Sequence, residues 1–259
     1  MTNTYLSWIS DEDLFRAIRY VHSAYESAAQ NTDLEKLTRN VIDPFSFFCE
    51  TSLAEDISVE TWLINEAQRQ IQKTLSNALG DFHQMILGSV EGWENLGTGH
   101  STGLDLKRSD NRIYVELKNK HNTMNASNKV GVFQKLEEVA NSDDQPTCYL
   151  VQIIRDTKHP YEKQWVFKSQ DVIYQHPRVL RISGDLFYDM VAGQDSLKDL
   201  VDVLPSASDS CRLTKVKLQE KIKAVEELQR LIGNDLPLDA SLSYFAQTAF
   251  PERSKFRHR

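Results

Sequence analysis

Apolar residues recur every three or four positions in several stretches of the chain, which is the spacing of one helix face. The first helix is predicted from Ser10 to about residue 28, because the acids at 11–13 suit the positive end of a helix. A short helix is predicted over 33–42, and a long one over 58–90. The first 90 residues are therefore predicted to be helical.

From residue 104 the pattern becomes that of β-strands. The segments 104–108 and 112–120 are typical of a hairpin, since Ile113, Val115 and Leu117 alternate with polar residues. Further strands are predicted over 148–155, 164–168 and 179–183, and further helices over 125–140, 184–193, 195–203 and 212–232. Strands flanked by helices predict an α/β fold: a central mixed β-sheet flanked by helices, with extra N-terminal and C-terminal helices.

Half of the ten glycines lie between residues 88 and 103. Glycine permits backbone conformations that other residues avoid, and it lets a ligand approach the main chain closely. This stretch is therefore predicted to be a loop in which the backbone either turns sharply or closely approaches another group.

Composition adds few constraints. Hydrophobic residues make up 40% of the chain and charged residues 26%, as in ordinary globular proteins, and no apolar run is long enough to cross a membrane. The N-terminus does not resemble a signal peptide, and Cys49, Cys148 and Cys211 are widely spaced, so a reduced, cytoplasmic protein is expected. The net charge of −7 hides an asymmetry: residues 1–100 sum to −9 (6 bases, 15 acids) and residues 101–259 to +2 (24 bases, 22 acids). An anionic partner of the second part is therefore not excluded.

The hairpin places three chemically important side chains together. If its turn is Asp110–Asn111, paired positions sum to 221, so Asp105 lies opposite Glu116 and Lys118 points to the same face. Two opposed carboxylates repel each other unless a cation lies between them, and a divalent cation would suit them. The neighbouring ammonium group could hold a water molecule that attacks phosphorus.

The segment from Leu117 to Leu136 contains no acid. It contains His121, four lysines (118, 120, 129 and 135) and four asparagines (119, 122, 125 and 128). Such side chains near a helix N-terminus suit a phosphate backbone. The candidate DNA-binding residues here and in the glycine-rich loop are His100, Ser101, Thr102, Lys120, Asn122, Asn125, Ser127 and Lys129.

The run GLDLKRSDNRIYVELKNK (103–120) resembles the D-x(n)-E-x-K core of the PD-(D/E)XK nuclease superfamily. The wider run GWENLGTGHSTGLDLKRSDNRIYVELKNKHNTMNASNK (92–129) resembles type II restriction endonucleases, in particular the group that cuts the palindrome GGNCC. The stretch SGDLFYDMVAG…LVDVLP (183–205) is similar to the C-terminal part of such enzymes. The resemblance extends over about residues 58–205.

This resemblance implies the roles of individual residues. Asp105, Glu116 and the backbone carbonyl of Leu117 would bind Mg²⁺, and Asp105, Glu116 and Lys118 would be catalytic. Leu104 stands where the superfamily name has proline, which is often absent. Some relatives add an acid from the preceding helix. The candidates for this extra acid are Glu91, which is the first choice, and Asp81 and Glu66.

The hypothesis from the sequence is a single nuclease domain over 1–259, with a helical extension (1–57), a catalytic core (58–205) and a C-terminal helix and tail (206–259). The resemblance implies a Mg²⁺-dependent homodimer that cuts double-stranded DNA, encoded beside a cognate DNA methyltransferase that does not bind it stably. One alternative is a DNA repair or recombination nuclease of the same fold. Another is a non-catalytic DNA-binding module on a degenerate nuclease fold, against which the intact Asp105, Glu116 and Lys118 argue.

Overall fold

The computed structural model describes residues 3–55, 57–97, 99–217 and 222–251. The helices are α1 (Asp11–Gln30), α2 (Leu34–Arg39), α3 (Pro44–Ser52), α4 (Val59–Gly88), α5 (Ala126–Ala140), α6 (Gly184–Ala192), α7 (Ser196–Ser210), α8 (Lys223–Ile232) and α9 (Leu238–Ala249). The strands are β1 (Trp93–Asn95), β2 (Leu106–Arg108), β3 (Ile113–Lys120), β4 (Thr147–Ile154), β5 (Glu162–Gln164), β6 (Phe167–Ser169), β7 (Val172–Tyr174) and β8 (Val179–Ser183). Within these ranges, no helix is both long enough and apolar enough to cross a bilayer.

The chain divides into two compact units. The first comprises Met1–Val21 and Ser76–Leu213, and the second comprises His22–Leu75 and Thr214–Arg259. The second unit has its own core, in which Phe47 packs edge-on against Trp62 and Phe245. The single nuclease domain predicted over 1–259 stays a prediction, because a compact unit is not by itself an independent domain.

The first unit is built on a mixed sheet. Among the described residues it has six strands, in the order β1-β2-β3-β4-β8-β5. Strands β1, β2 and β3 pair antiparallel, β3, β4 and β8 pair parallel, and β5 pairs antiparallel with β8 at the edge. The predicted α/β class with a central mixed sheet is therefore confirmed.

The two faces of this sheet pack against different helices. One apolar cluster joins Val115 and Leu117 of β3 to residues of α4 and α6 such as Ile86 and Phe187. The other joins Leu150 of β4 to the buried residues of α5, Phe133 among them. Successive side chains of a strand point to opposite faces, so Glu116 and Lys118 point to the face that α5 covers.

The hairpin of β2 and β3 has the predicted register. Leu106 lies opposite Val115 and Lys107 opposite Tyr114, so paired positions sum to 221. The backbone N–H of Asp105 donates to the Val115 carbonyl at 2.9 Å, which continues the ladder to the position facing Glu116.

The turn of this hairpin is longer than predicted. The strands stop at Arg108 and Ile113, so four residues connect them, and Asn111 adopts a positive φ of 58°. The Asp110 carboxylate accepts hydrogen bonds from the Arg112 backbone N–H and the Arg108 guanidinium, which holds the wider turn closed.

Two predicted segments beyond the hairpin are wrong. The strand expected over 164–168 is interrupted, because β5 ends at Gln164 and β6 begins at Phe167 in a separate ribbon with β7. The apolar character of the segment reflects Trp165, which is buried beside Phe133 between these strands. The helix expected over 212–232 begins only at Lys223; residues 213–217 are not helical, and its predicted core residue Leu218 lies outside the described residues.

Candidate active site

The β2–β3 hairpin brings together the two predicted carboxylates. Asp105 immediately precedes β2, and Glu116 lies in the middle of β3. The Asp105 Oδ2 atom accepts a hydrogen bond from the backbone N–H of Leu117 at 2.7 Å. Since Leu117 follows Glu116, this contact fixes the Asp105 carboxylate beside the Glu116 position.

The Asp105 carboxyl group is buried and lies close to a second negative charge. Burial raises its pKa to about 6, and the negative charge of Glu116 contributes to the increase. The Leu117 N–H and the positive charges of Lys118 and Lys135 oppose this increase in pKa. A further positive charge beside the Asp105 carboxylate would therefore be stabilising.

Glu116 and Lys118 form an ion pair on one face of β3. The Lys118 Nζ atom lies 2.7 Å from Glu116 Oε1, and the Glu116 side chain is 7% exposed against 28% for Lys118. The carboxylate is thus held at the base of the site, while the ammonium group reaches toward solvent. The structure brings the three predicted catalytic residues together.

A cavity of about 640 Å³ opens over this ion pair. Its walls come from two helices, α4 on one side and α5 on the other, and its floor from β3. Small or polar side chains dominate these walls: Ser76, Asn77, Gly80 and Asp81 from α4, and Ser127, Asn128 and Gly131 from α5. The cleft is therefore open and polar, as a site for a hydrophilic polymer requires.

Of the predicted DNA-binding residues, the cavity lining includes one. Ser127 lines the cavity, and Asn125 caps α5 by accepting the Asn128 backbone N–H at 2.8 Å. The remaining residues are outside the lining of this cavity as described. Ser101, Lys120 and Asn122 are exposed, His100 contacts Thr102 at 2.9 Å, and the Lys129 Nζ atom lies 4.3 Å from the centre of the Phe167 ring.

Of the three candidate extra acids, one lies in the lining of the cavity. Asp81 lines the cavity and accepts a hydrogen bond from the Tyr20 hydroxyl at 2.5 Å. Glu91 is exposed and is not among the described lining residues. Glu66 belongs to the second unit, where Arg69 binds it at 2.6 Å. The structure therefore favours Asp81 over Glu91 as a residue of this cavity.

The sequence prediction did not assign Lys135 to the active site. Lys135 lines the cavity, and its charge acts on Asp105. Ser127, Gly131 and Lys135 follow one another at intervals of four residues, which places all three on one helix face, and this periodicity was the available signal. Ser76, Asn77 and Gly80 of α4 could not be recognised in the same way, because they are near the site only in the folded chain.

The donor set suits a hard divalent cation. Asp105 and Glu116 offer carboxylate oxygens, and the Leu117 carbonyl leaves β3 on the same edge as the N–H bound by Asp105, because both groups of one strand residue point the same way. Among the described residues, no group of three or more His, Cys, Asp or Glu side chains could hold a metal ion. A cation here would complete its coordination with main-chain oxygen, water and phosphate oxygen, as Mg²⁺ commonly does.

A mixed sheet whose β2–β3 hairpin carries Asp105, Glu116 and Lys118 beside an open cleft is consistent with the class of restriction endonucleases. The family model described as "Eco47II restriction endonuclease" matches residues 6–211. The chain therefore belongs to the Eco47II restriction endonuclease family, and it is a type II restriction endonuclease whose substrate is DNA.

Two relatives support this assignment. The chain is 38% identical to the type II restriction enzyme Sau96I of Staphylococcus aureus over 224 residues, which is 83% of this chain and 84% of the relative. It is 34% identical to the type II restriction enzyme Eco47II of Escherichia coli over 213 residues, which is 78% of this chain and 86% of the relative. The predicted resemblance is confirmed, and it begins closer to the N-terminus than the expected residue 58.

Proposed function

We propose that this enzyme uses Mg²⁺ to cut both strands of the palindrome GGNCC as a homodimer. The observation that carries the proposal is the position of Glu116 and Lys118 on the floor of the cleft, with Asp105 beside them. The relation to Sau96I and the resemblance to enzymes that cut GGNCC support the choice of site.

Each side chain of the site has a role in this proposal. Asp105, Glu116 and the Leu117 carbonyl would hold the metal ion. When bound, Mg²⁺ supplies positive charge that stabilises the transition state and lowers the pKa of a bound water. Lys118 would orient the attacking water, because its ammonium group is anchored on Glu116 and reaches into the cleft.

The shape of the cleft supports a nucleic-acid backbone as the substrate. Gly80 and Gly131 lie inside helices, where glycine costs about 1 kcal/mol relative to alanine. A Cβ atom added to either would meet no other atom within 4 Å, so packing does not require glycine at these positions. Both residues face the cavity, where the missing side chains leave room for a bulky substrate.

The proposal includes properties of the enzyme in its cell. A cognate DNA methyltransferase encoded nearby would protect the host sequence, without forming a stable complex with the enzyme. A cytoplasmic location, predicted from the composition, belongs to the same hypothesis; Cys49, Cys148 and Cys211 are all free thiols in the structure.

The decisive experiment is digestion of a fully sequenced plasmid. Wild-type enzyme with Mg²⁺ should give ends that all map to GGNCC, and EDTA should abolish cleavage. The Lys118→Ala variant, with unchanged far-UV circular dichroism, should cleave at least 100-fold more slowly, because a positioned catalytic group contributes about 10² to 10⁴ in rate. Ends at another sequence would refute the assigned site, and Lys118→Ala cleavage within tenfold of wild type would refute the role of Lys118.

A further inference from the structure

We infer that Lys135 is a second cationic residue of the active site and that it binds the scissile phosphate of DNA. The inference rests on the proposed function and extends it, because it adds a residue of α5 to a site otherwise built from the β2–β3 hairpin. Three observations within the first unit carry it.

The first observation is the position of the ammonium group. An ideal Cβ atom built on Gly103 would lie 3.4 Å from Lys135 Nζ. The lysine therefore reaches from α5 to the chain just before Asp105. Its charge acts on the Asp105 carboxyl, as that of Lys118 does.

The second observation is the absence of a competing partner. Lys118 is engaged by Glu116, but in the described part of the chain Lys135 has no carboxylate within ion-pair distance. Lys135 is exposed and lines the cavity. The ammonium group is thus available to an anion, and the anion of the substrate is a phosphate.

The third observation is that α5 is fixed in orientation. Phe133 and Leu136, on either side of Lys135 in sequence, are at most 1% exposed in the core beneath the helix. This packing holds the opposite face, with Ser127, Gly131 and Lys135, toward the cleft. The fold therefore places the Lys135 backbone on the face of α5 that lines the cavity.

From these positions the two lysines have different roles in the proposed reaction. Lys118, on the Glu116 side, orients the nucleophile, and Lys135, on the Asp105 side, donates to a non-bridging oxygen of the phosphate. Negative charge on that oxygen grows as water attacks phosphorus, so the contact strengthens in the transition state. Lys135 is a catalytic residue in this sense, since it touches the reacting group.

The test compares Lys135→Ala and Lys135→Arg with wild type under single-turnover conditions. The substrate is a labelled duplex that contains the site mapped for the wild type. Lys135→Ala should lower the cleavage rate by about 100-fold to 1,000-fold, as loss of one transition-state donor does elsewhere. Lys135→Arg should recover most of this loss, because it restores the charge. The matched control is Lys198→Ala, an exposed lysine of α7 paired with Asp202, which should cleave at the wild-type rate.

A purely structural role is distinguished by the salt dependence of binding. With Ca²⁺ in place of Mg²⁺, the slope of log affinity against log salt should fall by about one unit in Lys135→Ala, because one phosphate contact is lost. An unchanged slope, or cleavage by Lys135→Ala within threefold of an active wild type, would overturn the inference alone. A wild-type enzyme that cuts no DNA would overturn the proposed function and this inference together.

Discussion

Each of the two carboxylates proposed to be catalytic is held by a donor from β3. Asp105 accepts the Leu117 N–H, and Glu116 accepts the Lys118 ammonium group, so neither can turn away from the cleft without losing a hydrogen bond. This arrangement keeps two acids close together, and the raised pKa of Asp105 reflects burial and the repulsion from Glu116. The cleft floor is therefore prepared for a cation and unfavourable for a bare phosphate.

It follows that neutralising either acid should strengthen DNA binding when no metal is present. Two unit charges at about 4 Å, with an effective dielectric constant near 20, repel by up to about 4 kcal/mol before screening. Asp105→Asn and Glu116→Gln keep the shapes and hydrogen-bonding oxygens but remove this charge. In EDTA both variants should bind a cognate duplex as tightly as wild type or more tightly, as measured by fluorescence anisotropy, while cleaving none of it in Mg²⁺.

Calcium provides the control for this prediction. When Ca²⁺ neutralises the wild-type carboxylates, the difference in affinity between wild type and the variants should shrink. Binding by both variants that is tenfold weaker than wild type in EDTA would show that these side chains do not face the phosphate.

His83 is a second residue whose titration has a clear consequence. Its Nδ1 atom lies 2.7 Å from the hydroxyl of Tyr188, and burial lowers its pKa to about 4. In the unfolded chain the pKa returns to about 6.5, so between these values the unfolded state binds more protons. The contribution of neutral His83 to the unfolding free energy is therefore fully present above about pH 6.5. It is lost as the pH falls toward 4, which lowers the unfolding free energy by at most about 3 kcal/mol.

The measurement is urea unfolding of wild type and His83→Asn at pH 8, 6.5 and 5. Asparagine can still bond to the Tyr188 hydroxyl but does not titrate, so its unfolding free energy should fall less with acid than that of wild type. Parallel pH profiles would mean that His83 is protonated equally in both states.

At the scale of elements, local pattern predicted the hairpin best. The alternation in β3 fixes which side chains share a face. A turn centred on Asp110–Asn111 makes paired positions sum to 221 with either two or four connecting residues, so Asp105 lies opposite Glu116. The same pattern located β4 and β8, because their apolar runs are buried on both faces. These elements carry the site, so its centre was accessible from sequence.

Elements whose ends depend on distant packing were predicted poorly. The apolar segment 164–168 contains Trp165, which is buried although it belongs to neither β5 nor β6. Its burial is explained by its contact with Phe133 of α5. In α3, Phe47 is buried while Phe45 is 72% exposed, a difference that composition does not reveal. Apart from the candidate acid Asp81, the α4 wall of the cleft was missed for the same reason, since its residues lie far from β3 in sequence.

The junction of β4 and α6 gives a prediction about element packing. A Cβ atom on Gly184 would lie 2.6 Å from the Ile153 Cα atom and 2.7 Å from its carbonyl oxygen, so the backbone of β4 would have to move. Gly184→Ala should lower the unfolding free energy by about 2–3 kcal/mol, the cost typical of overpacking.

Gly80→Ala is the opposite control in urea unfolding. Gly80 lies within α4 with open space around it, so alanine there should raise the unfolding free energy by about 1 kcal/mol through helix propensity. Equal stability of Gly184→Ala and wild type would show that α6 can shift away from β4 at little cost.

For the whole molecule, the distribution of charge along the chain affects how the enzyme binds DNA. The acidic character is concentrated in residues 1–100, with a net charge of −9, while residues 101–259, which supply β3 and α5, sum to +2. Association with DNA therefore depends on the local field of the cleft and should weaken steeply with salt. The described part of one chain presents one Asp105–Glu116–Lys118 site, whereas a duplex has two antiparallel strands to cut.

The proposed two-fold symmetric dimer would resolve this mismatch, because it would place one site on each strand of a palindrome. Sedimentation velocity should therefore give a dimer when cognate duplex is bound in Ca²⁺, and plasmid cleavage in Mg²⁺ should yield linear DNA without a build-up of nicked circles. Co-expression of wild type with Lys118→Ala offers a sharper test, since mixed dimers have one working site. Purified mixed dimers should convert supercoiled plasmid to nicked circles and stop there. A monomer on the duplex, together with nicked circles from wild type alone, would contradict the dimer, because each strand would then be cut in a separate encounter.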